Sequence, residues 1–263
     1  MACWRGFAAL WALAGAAVSG DWHYSIGVHD FTVPQVDSDT FGINGRASLD
    51  RHNASGRHYF GTIDVLIDRD QDHLDPDHIP VWWELYAGTD GMFWETGNAR
   101  AGWAVDVDTR SNTASSIERR IMALPSLVGA YANERFQASA KTGAGWFFLE
   151  IDDDVPKTRG YVRDDLRNSR LAYSVSGDAT VHMGDSWSVS GTAQEWWDSH
   201  GSLQTEFTAA LRFNADRWRK GSELVLDADY NEYNLAPYQR SGLPAILPWD
   251  HDLMFRVMLD NTW

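Results

Sequence analysis

Between residues 203 and 214 the chain alternates. Leu203, Phe207, Ala209, Leu211 and Phe213, with Thr205 among them, fall on one parity; Gln204, Glu206, Thr208, Ala210, Arg212 and Asn214 fall on the other. Successive side chains of a strand point to opposite faces, so this segment has one apolar and one polar face. Residues 171–182 repeat the pattern, with Leu171, Tyr173, Val175, Gly177, Ala179 and Val181 set against Ser174, Ser176, Asp178, Thr180 and His182. Weaker copies run over 22–30, 41–50, 58–67, 81–88, 98–108, 119–132, 135–149, 186–197, 222–233 and 250–263. The period of two predicts twelve strands in all. The copy at 119–132 is interrupted by Pro125, which cannot donate to a ladder.

The links alternate too. Tight turns at 133–134 and 183–185 and short polar links at 51–57 and 215–221 are interleaved with longer segments at 31–40, 68–80, 109–118, 150–169 and 234–248. Only 198–201 breaks the rhythm. Short turns at one rim and long loops at the other describe an antiparallel up-and-down barrel in an outer membrane, turns periplasmic and loops extracellular. Alternation alone does not choose a face, since a soluble barrel has the same period with its apolar face inward. Two features choose. About eight strands already give an interior that side chains can fill, and Trp22, Trp82, Trp83, Trp94, Trp187, Trp196, Trp197 and Trp249 fall near strand ends, where interfacial girdles sit. The fold class expected is all-β: a transmembrane antiparallel up-and-down β-barrel of about twelve strands, with both termini periplasmic.

The first twenty residues read differently. Arg5 is followed by an apolar run over 7–18 and a small-residue exit, Ala16-Ala17-Val18-Ser19-Gly20. The run is too short to span a bilayer of about 30 Å, and reads as a secretory signal peptide cut after Gly20. Residues 1–20 are thus the leader and 21–263 a single barrel domain. The one cysteine, Cys3, would leave with the leader, so the mature chain has no disulfides. Losing Arg5 takes the net charge from −15 to −16. A chain so acidic is a poor partner for nucleic acid.

The last strand carries the most specific motif. Leu253, Phe255, Val257 and Leu259 alternate with Asp252, Met254, Arg256, Met258 and Asp260, and the chain ends on Trp263. In this the sequence resembles bacterial outer-membrane β-barrel proteins of porin-like size, although Asn261 stands where a hydrophobic residue is usual. The resemblance implies a Gram-negative outer-membrane location among lipid and lipopolysaccharide. It also implies recognition by the barrel-assembly machinery, with Phe255, Val257, Leu259 and Trp263 as the signal.

If the apolar set faces lipid, the polar set lines the lumen: Asp50, Asp64, Glu84, Arg100, Asp106, Asp178, Glu206, Arg212, Asp227, Asp229 and Arg256. Acids exceed bases, which suits a water-filled pore for cations or neutral polar solutes. The expected function is therefore a small passive porin without cofactor, its solute unspecified. A closed structural or surface-binding barrel, filled by Arg–carboxylate ladders, is the alternative. Asp68, Asp70, Asp72 and Asp75 resemble the start of a Ca²⁺ loop but lack its glycine and terminal glutamate. The run from Glu150 to Asp154 is a second place where divalent ions could bridge loops. A lipid-modifying enzyme is the third class. Outer-membrane phospholipase A places a His and a Ser two residues apart; His200-Gly201-Ser202 has that spacing without the surrounding motif or an Asn to orient the ring, and His23-Tyr24-Ser25 has it on the polar face.

Overall fold

The computed structural model describes residues 21–53, 57–69, 81–111 and 117–262. The proposed leader, residues 1–20, lies outside them. Twelve strands follow one another around a wall. The first six are β1 (Asp21–Val33), β2 (Ser38–His52), β3 (His58–Asp68), β4 (Val81–Thr96), β5 (Ala99–Ser111) and β6 (Ile117–Ala132). The others are β7 (Phe136–Ile151), β8 (Arg167–Met183), β9 (Trp187–Asp198), β10 (Gly201–Asn214), β11 (Ser222–Tyr233) and β12 (His251–Thr262). Each pairs antiparallel with its chain neighbour, and β1 pairs with β12 from His23↔Thr262 to Thr32↔Leu253, which closes the barrel. Closure leaves no unpaired edge, the condition for a sheet to survive in hydrocarbon.

Every expected strand exists, and most are longer than the pattern suggested; β8 runs for 17 residues. The apolar set faces outward. Ile26, Leu127, Leu171, Val175, Phe207 and Phe255 stay between 48 and 71% exposed on the barrel exterior, as lipid-facing side chains must. Pro125 is on that exterior, and β7 residues 144 and 145 opposite Leu124 and Pro125 take no part in the paired register, which skips from Ala123↔Trp146 to Ser126↔Gly143. The ladder to β7 is interrupted at the proline, as a missing donor requires, while pairing with β5 continues through Val105↔Pro125. The backbones approach closely there: a Cβ on Gly143 would meet the Pro125 carbonyl oxygen at 2.2 Å.

Three details depart from the pattern. A bulge between Ser202 and Gln204 in β10 shifts the parity, so Leu203, grouped by alternation with the outward set, is buried beside Gln204. The segment 31–40 is no long loop, because strand pairing continues through it around a single 3-10 turn, Pro34–Val36. The tryptophans divide. Trp22, Trp94 and Trp187 stand on the outside, while Trp82, Trp196 and Trp249 are 0, 2 and 6% exposed inside the barrel. The girdle reading of those last three is corrected.

What buries them is an apolar cap at the loop-side end. Two segments fold over that mouth: residues 152–166, containing the short helix α1 (Asp154–Thr158), and residues 234–250. They bring Tyr161, Leu166, Tyr238, Ile246, Leu247 and Trp249 into one cluster with the inward-facing strand ends Phe31, Val33, Leu66, Trp82, Phe147 and Leu149. Polar contacts tie the two segments together. Arg159 donates to the Ala245 carbonyl and Tyr161 to that of Pro244, both at 2.7 Å, and Arg240 Nε meets Asp165 Oδ1 at 2.7 Å.

Candidate functional site

Beneath the cap the inner face turns from apolar to charged. Arg110, on β5, is 1% exposed, with Nε 2.9 Å from Glu84 Oε1 of β4. Its Nη1 donates to Tyr233 Oη at 3.1 Å and reaches Asp252 Oδ1 of β12 at 3.5 Å. Arg120, on β6, donates to Asp108 at 2.9 Å and to Glu206 of β10 at 3.1 Å. Arg256, on β12, donates to Asp227 at 2.7 Å and to Asp229, and its Nη1 lies 3.3 Å from Glu84. Arg46 holds Asp64 through Nε and Nη2, and Lys141 meets Asp106 at 2.9 Å. Glu206–Arg120 and Asp252–Arg110 join strands that are not sheet neighbours, so these bonds cross the lumen.

The opposite wall differs. Ser176, Thr180, Ser190, Thr192 and Thr208 of β8, β9 and β10 face the charged ladder across a cavity of about 570 Å³. Asp178 stands among them, its carboxylate receiving the Ser139 hydroxyl and, among the described residues, no cation. Among the described residues, the ladder and cavity hold the cations Arg46, Arg110, Arg120, Lys141 and Arg256. Against these five stand nine carboxylates: Asp64, Glu84, Asp106, Asp108, Asp178, Glu206, Asp227, Asp229 and Asp252. The carboxylate surplus is four, in a space where strong hydrogen bonds satisfy some oxygens and leave others bare, such as Asp106 Oδ1 and Asp252 Oδ2.

Of the eleven residues assigned to the lumen from sequence, seven line this cavity: Asp64, Glu84, Asp106, Asp178, Glu206, Asp229 and Arg256. Asp227 is buried behind it against Arg256. The other three stand apart at the turn-side rim. Asp50 contacts His58, Arg100 is 3.9 Å from Glu95, and Arg212 is 3.7 Å from Glu223. Alternation gave these three the inward parity, but they lie where strands reach past the cavity. Sequence reasoning missed Arg110, Arg120 and Lys141. Parity held the signal for Arg110, which continues the series Asp106, Asp108 by two residues beyond the expected strand end.

The loop chemistry is also clarified. Asp68 ends β3 with its side chain turned inward, Oδ1 2.8 Å from His29 Nε2 and 3.3 Å from Trp82 Nε1; it is a buried partner rather than a loop ligand. Asp70, Asp72 and Asp75 lie outside the described residues. In the second acidic run the protein supplies its own cations: Lys157 and Arg163 sit 2.7 and 3.4 Å from Asp153, and Arg167 2.6 Å from Glu150. Burial pushes the Asp153 carboxyl up, but the bonds from Lys157 and Arg163 outweigh it and hold its pKa below the ordinary range. The His200 ring contacts Ser199 Oγ at 3.2 Å and Asp198 at 3.6 Å, and Ser25 is buried on the inner wall. Phe255, Val257 and Leu259 face outward, 48, 43 and 39% exposed; Trp263 lies outside the described residues.

No family model and no curated relative matches the sequence. Solved structures do match in shape. An outer membrane channel from Pseudomonas putida F1 superposes with a TM-score of 0.54 at 10% identity, over 95% of this chain and 97% of that one. The fold is that of an outer-membrane β-barrel. The KdgM porin (TM-score 0.47, 8% identity, 91% of this chain and 99% of that) and OccAB1 of Acinetobacter baumannii (0.48, 10%, 93% and 96%) align over similar spans. At such identities the likeness is one of architecture and carries no residue roles.

Proposed function

We propose that this chain is an outer-membrane channel for cations or neutral polar solutes, closed at its loop-side end in the conformation described here. The observation that carries this reading is the lumen itself: a cavity of about 570 Å³ with a hydroxyl wall on one side and a carboxylate surplus on the other. Leaving bare carboxylates in a dry interior is costly, so the surplus favours water inside. Acids in a pore with low-dielectric walls then raise the local cation concentration. In this reading the turns and both termini are periplasmic and the cap faces outside, against lipopolysaccharide. The outward face of β12, with Phe255, Val257 and Leu259, is what the assembly machinery reads.

The second reading, a closed structural barrel, is favoured by one specific observation, the ion pairs that cross the lumen from Arg110 and Arg120. Reconstitution in planar bilayers separates the two. The channel reading expects discrete conductance steps with cation-selective reversal potentials in a KCl gradient, larger when residues 237–247 of the cap are removed. An electrically silent barrel with and without the cap would leave the closed reading standing.

A further inference from the structure

At the turn-side mouth, His52 ends β2 and His58 begins β3, and the two are direct cross-strand partners. Their imidazoles stack, with centroids 4.5 Å apart and planes 14° from parallel. Asp50, two residues before His52 on the same face, places Oδ2 3.0 Å from His58 Nε2 and Oδ1 3.7 Å from His52 Nδ1. One ligating atom from each of the three lies within 4.8 Å of the others. On the far side of His58, Asp90 Oδ2 sits 2.8 Å from Nδ1, and Phe60 packs against the ring at 5.3 Å.

We propose that Asp50, His52 and His58 form a transition-metal site, suited to Zn²⁺, with Asp90 as the residue that orients His58. Four-coordinate zinc has bonds of about 2.0–2.1 Å, which puts its donors about 3.3 Å apart. Asp50 Oδ2 is already 3.0 Å from His58 Nε2, close to that value, whereas His52 Nδ1 is 3.7 Å from the other oxygen, Oδ1. Closing the set on one oxygen takes a rotation of His52, whose side chain is 69% exposed. A neutral imidazole has one N–H, and His58 has a carboxylate at each nitrogen. In the neutral form, donating Nδ1–H to Asp90 leaves the Nε2 lone pair facing Asp50, a repulsive contact that a dication between them, like a second proton, makes attractive. A ligating histidine whose other nitrogen is fixed by a carboxylate is the usual support of a zinc site. Two imidazoles with one carboxylate suit zinc, copper or nickel, not the all-oxygen shells of calcium and magnesium. Three protein ligands leave the fourth position open to water at the mouth of the lumen.

The test uses the refolded tag-free mature barrel in detergent, titrated with ZnCl₂ by calorimetry and with Co²⁺ by visible absorption. One ion per chain is expected at micromolar metal, and Co²⁺ should give the intense bands of four-coordination. His52→Ala and Asp50→Asn, both at exposed positions that leave the barrel intact, should abolish saturable binding. Asp90→Asn should weaken it by about 10–100-fold, the usual effect of losing such a support, while His182→Ala and His200→Ala leave it unchanged. Absence of binding at micromolar Zn²⁺, or binding that survives His52→Ala undiminished, would overturn the site.

Discussion

Arg110 lies over the indole of Trp82, its guanidinium carbon 5.2 Å from the ring centroid. The pair marks the level at which the lumen changes character. Above it, Trp82 belongs to the apolar cluster sealed by residues 152–166 and 234–250. Below it, the same guanidinium opens the ladder of ion pairs through Glu84 and Asp252. An arginine suits this junction because its planar face stacks on an aromatic while its edge donates hydrogen bonds.

Arg110→Leu should therefore destabilise the barrel by about 3–5 kcal/mol, the range for removing one partner of a buried ion pair. The loss comes mainly from Asp252, 1% exposed and left without its cation. Replacing both, as Arg110→Leu with Asp252→Leu, should recover a good part of that loss, because a matched apolar pair buries no charge. Denaturant unfolding of the refolded protein measures both; equal losses in the single and double variants would contradict the junction role.

The wall makes a second, sharper contrast. Arginine at Phe207, Val175 or Phe255 faces hydrocarbon and should cost about 2–4 kcal/mol near the midplane, seen as a lower folded fraction in liposomes. Arginine at Thr208 or Ser176 enters the acidic cavity and should be tolerated. Gln204, of inward parity like Thr208, is expected to behave otherwise. It is 1% exposed and donates to Asn231 at 3.1 Å, so an arginine there must displace a packed contact.

Gln204 also shows where the sequence stopped being legible. Period-two alternation found all twelve strands, because a wall between lipid and lumen imposes opposite chemistry on the two sides of every strand. It found Asp64, Glu84 and Arg256 for the same reason. It lost Leu203 at a bulge, since one inserted residue reverses parity and leaves no mark in composition. The cap was harder still. Phe31, Val33, Leu66 and Trp82 are inward and apolar at the loop-side strand ends, but only contact with Ile246, Leu247 and Trp249, far along the chain, explains them. Apolar residues in a supposedly solvated loop were the available clue. Cross-lumen pairs such as Arg120–Glu206, separated by 86 residues, depend on closure and cannot be read from any local pattern.

Selectivity should rest unequally on the acids. Among the described residues Asp178 has no cation partner, so Asp178→Asn should reduce cation preference in reversal-potential measurements while leaving unfolding nearly unchanged. Asp229→Asn removes a partner of Arg256, which is 5% exposed. It should lower stability as well as selectivity. If Asp178→Asn instead destabilises and leaves permeability ratios untouched, the carboxylate is structural and the cavity does not conduct.

The cap should respond to acid, and the sign follows from Asp165. Its carboxylate accepts from Arg240 Nε at 2.7 Å and from the Val162 backbone N–H at 3.3 Å. The Arg240 bond first, and the Val162 bond second, hold its pKa below the ordinary carboxylate range. A group with a depressed pKa in the closed form stabilises that form above its ordinary value, about 3.9 for a released aspartate. That contribution is lost as pH falls through the lower, closed-state value. Acidification below about pH 4 should thus release this tie between residues 152–166 and 234–250, and openings in bilayers should become more frequent. The pair lies at the surface, with Asp165 half-buried and Arg240 exposed, so the ionic part is screened and the shift should shrink in molar salt. Asp165→Asn should open more readily at neutral pH and lose the acid response. A variant that keeps the wild-type response would place the acid sensitivity elsewhere, and would leave Arg240 and Asp165 as a surface pair without a part in closure.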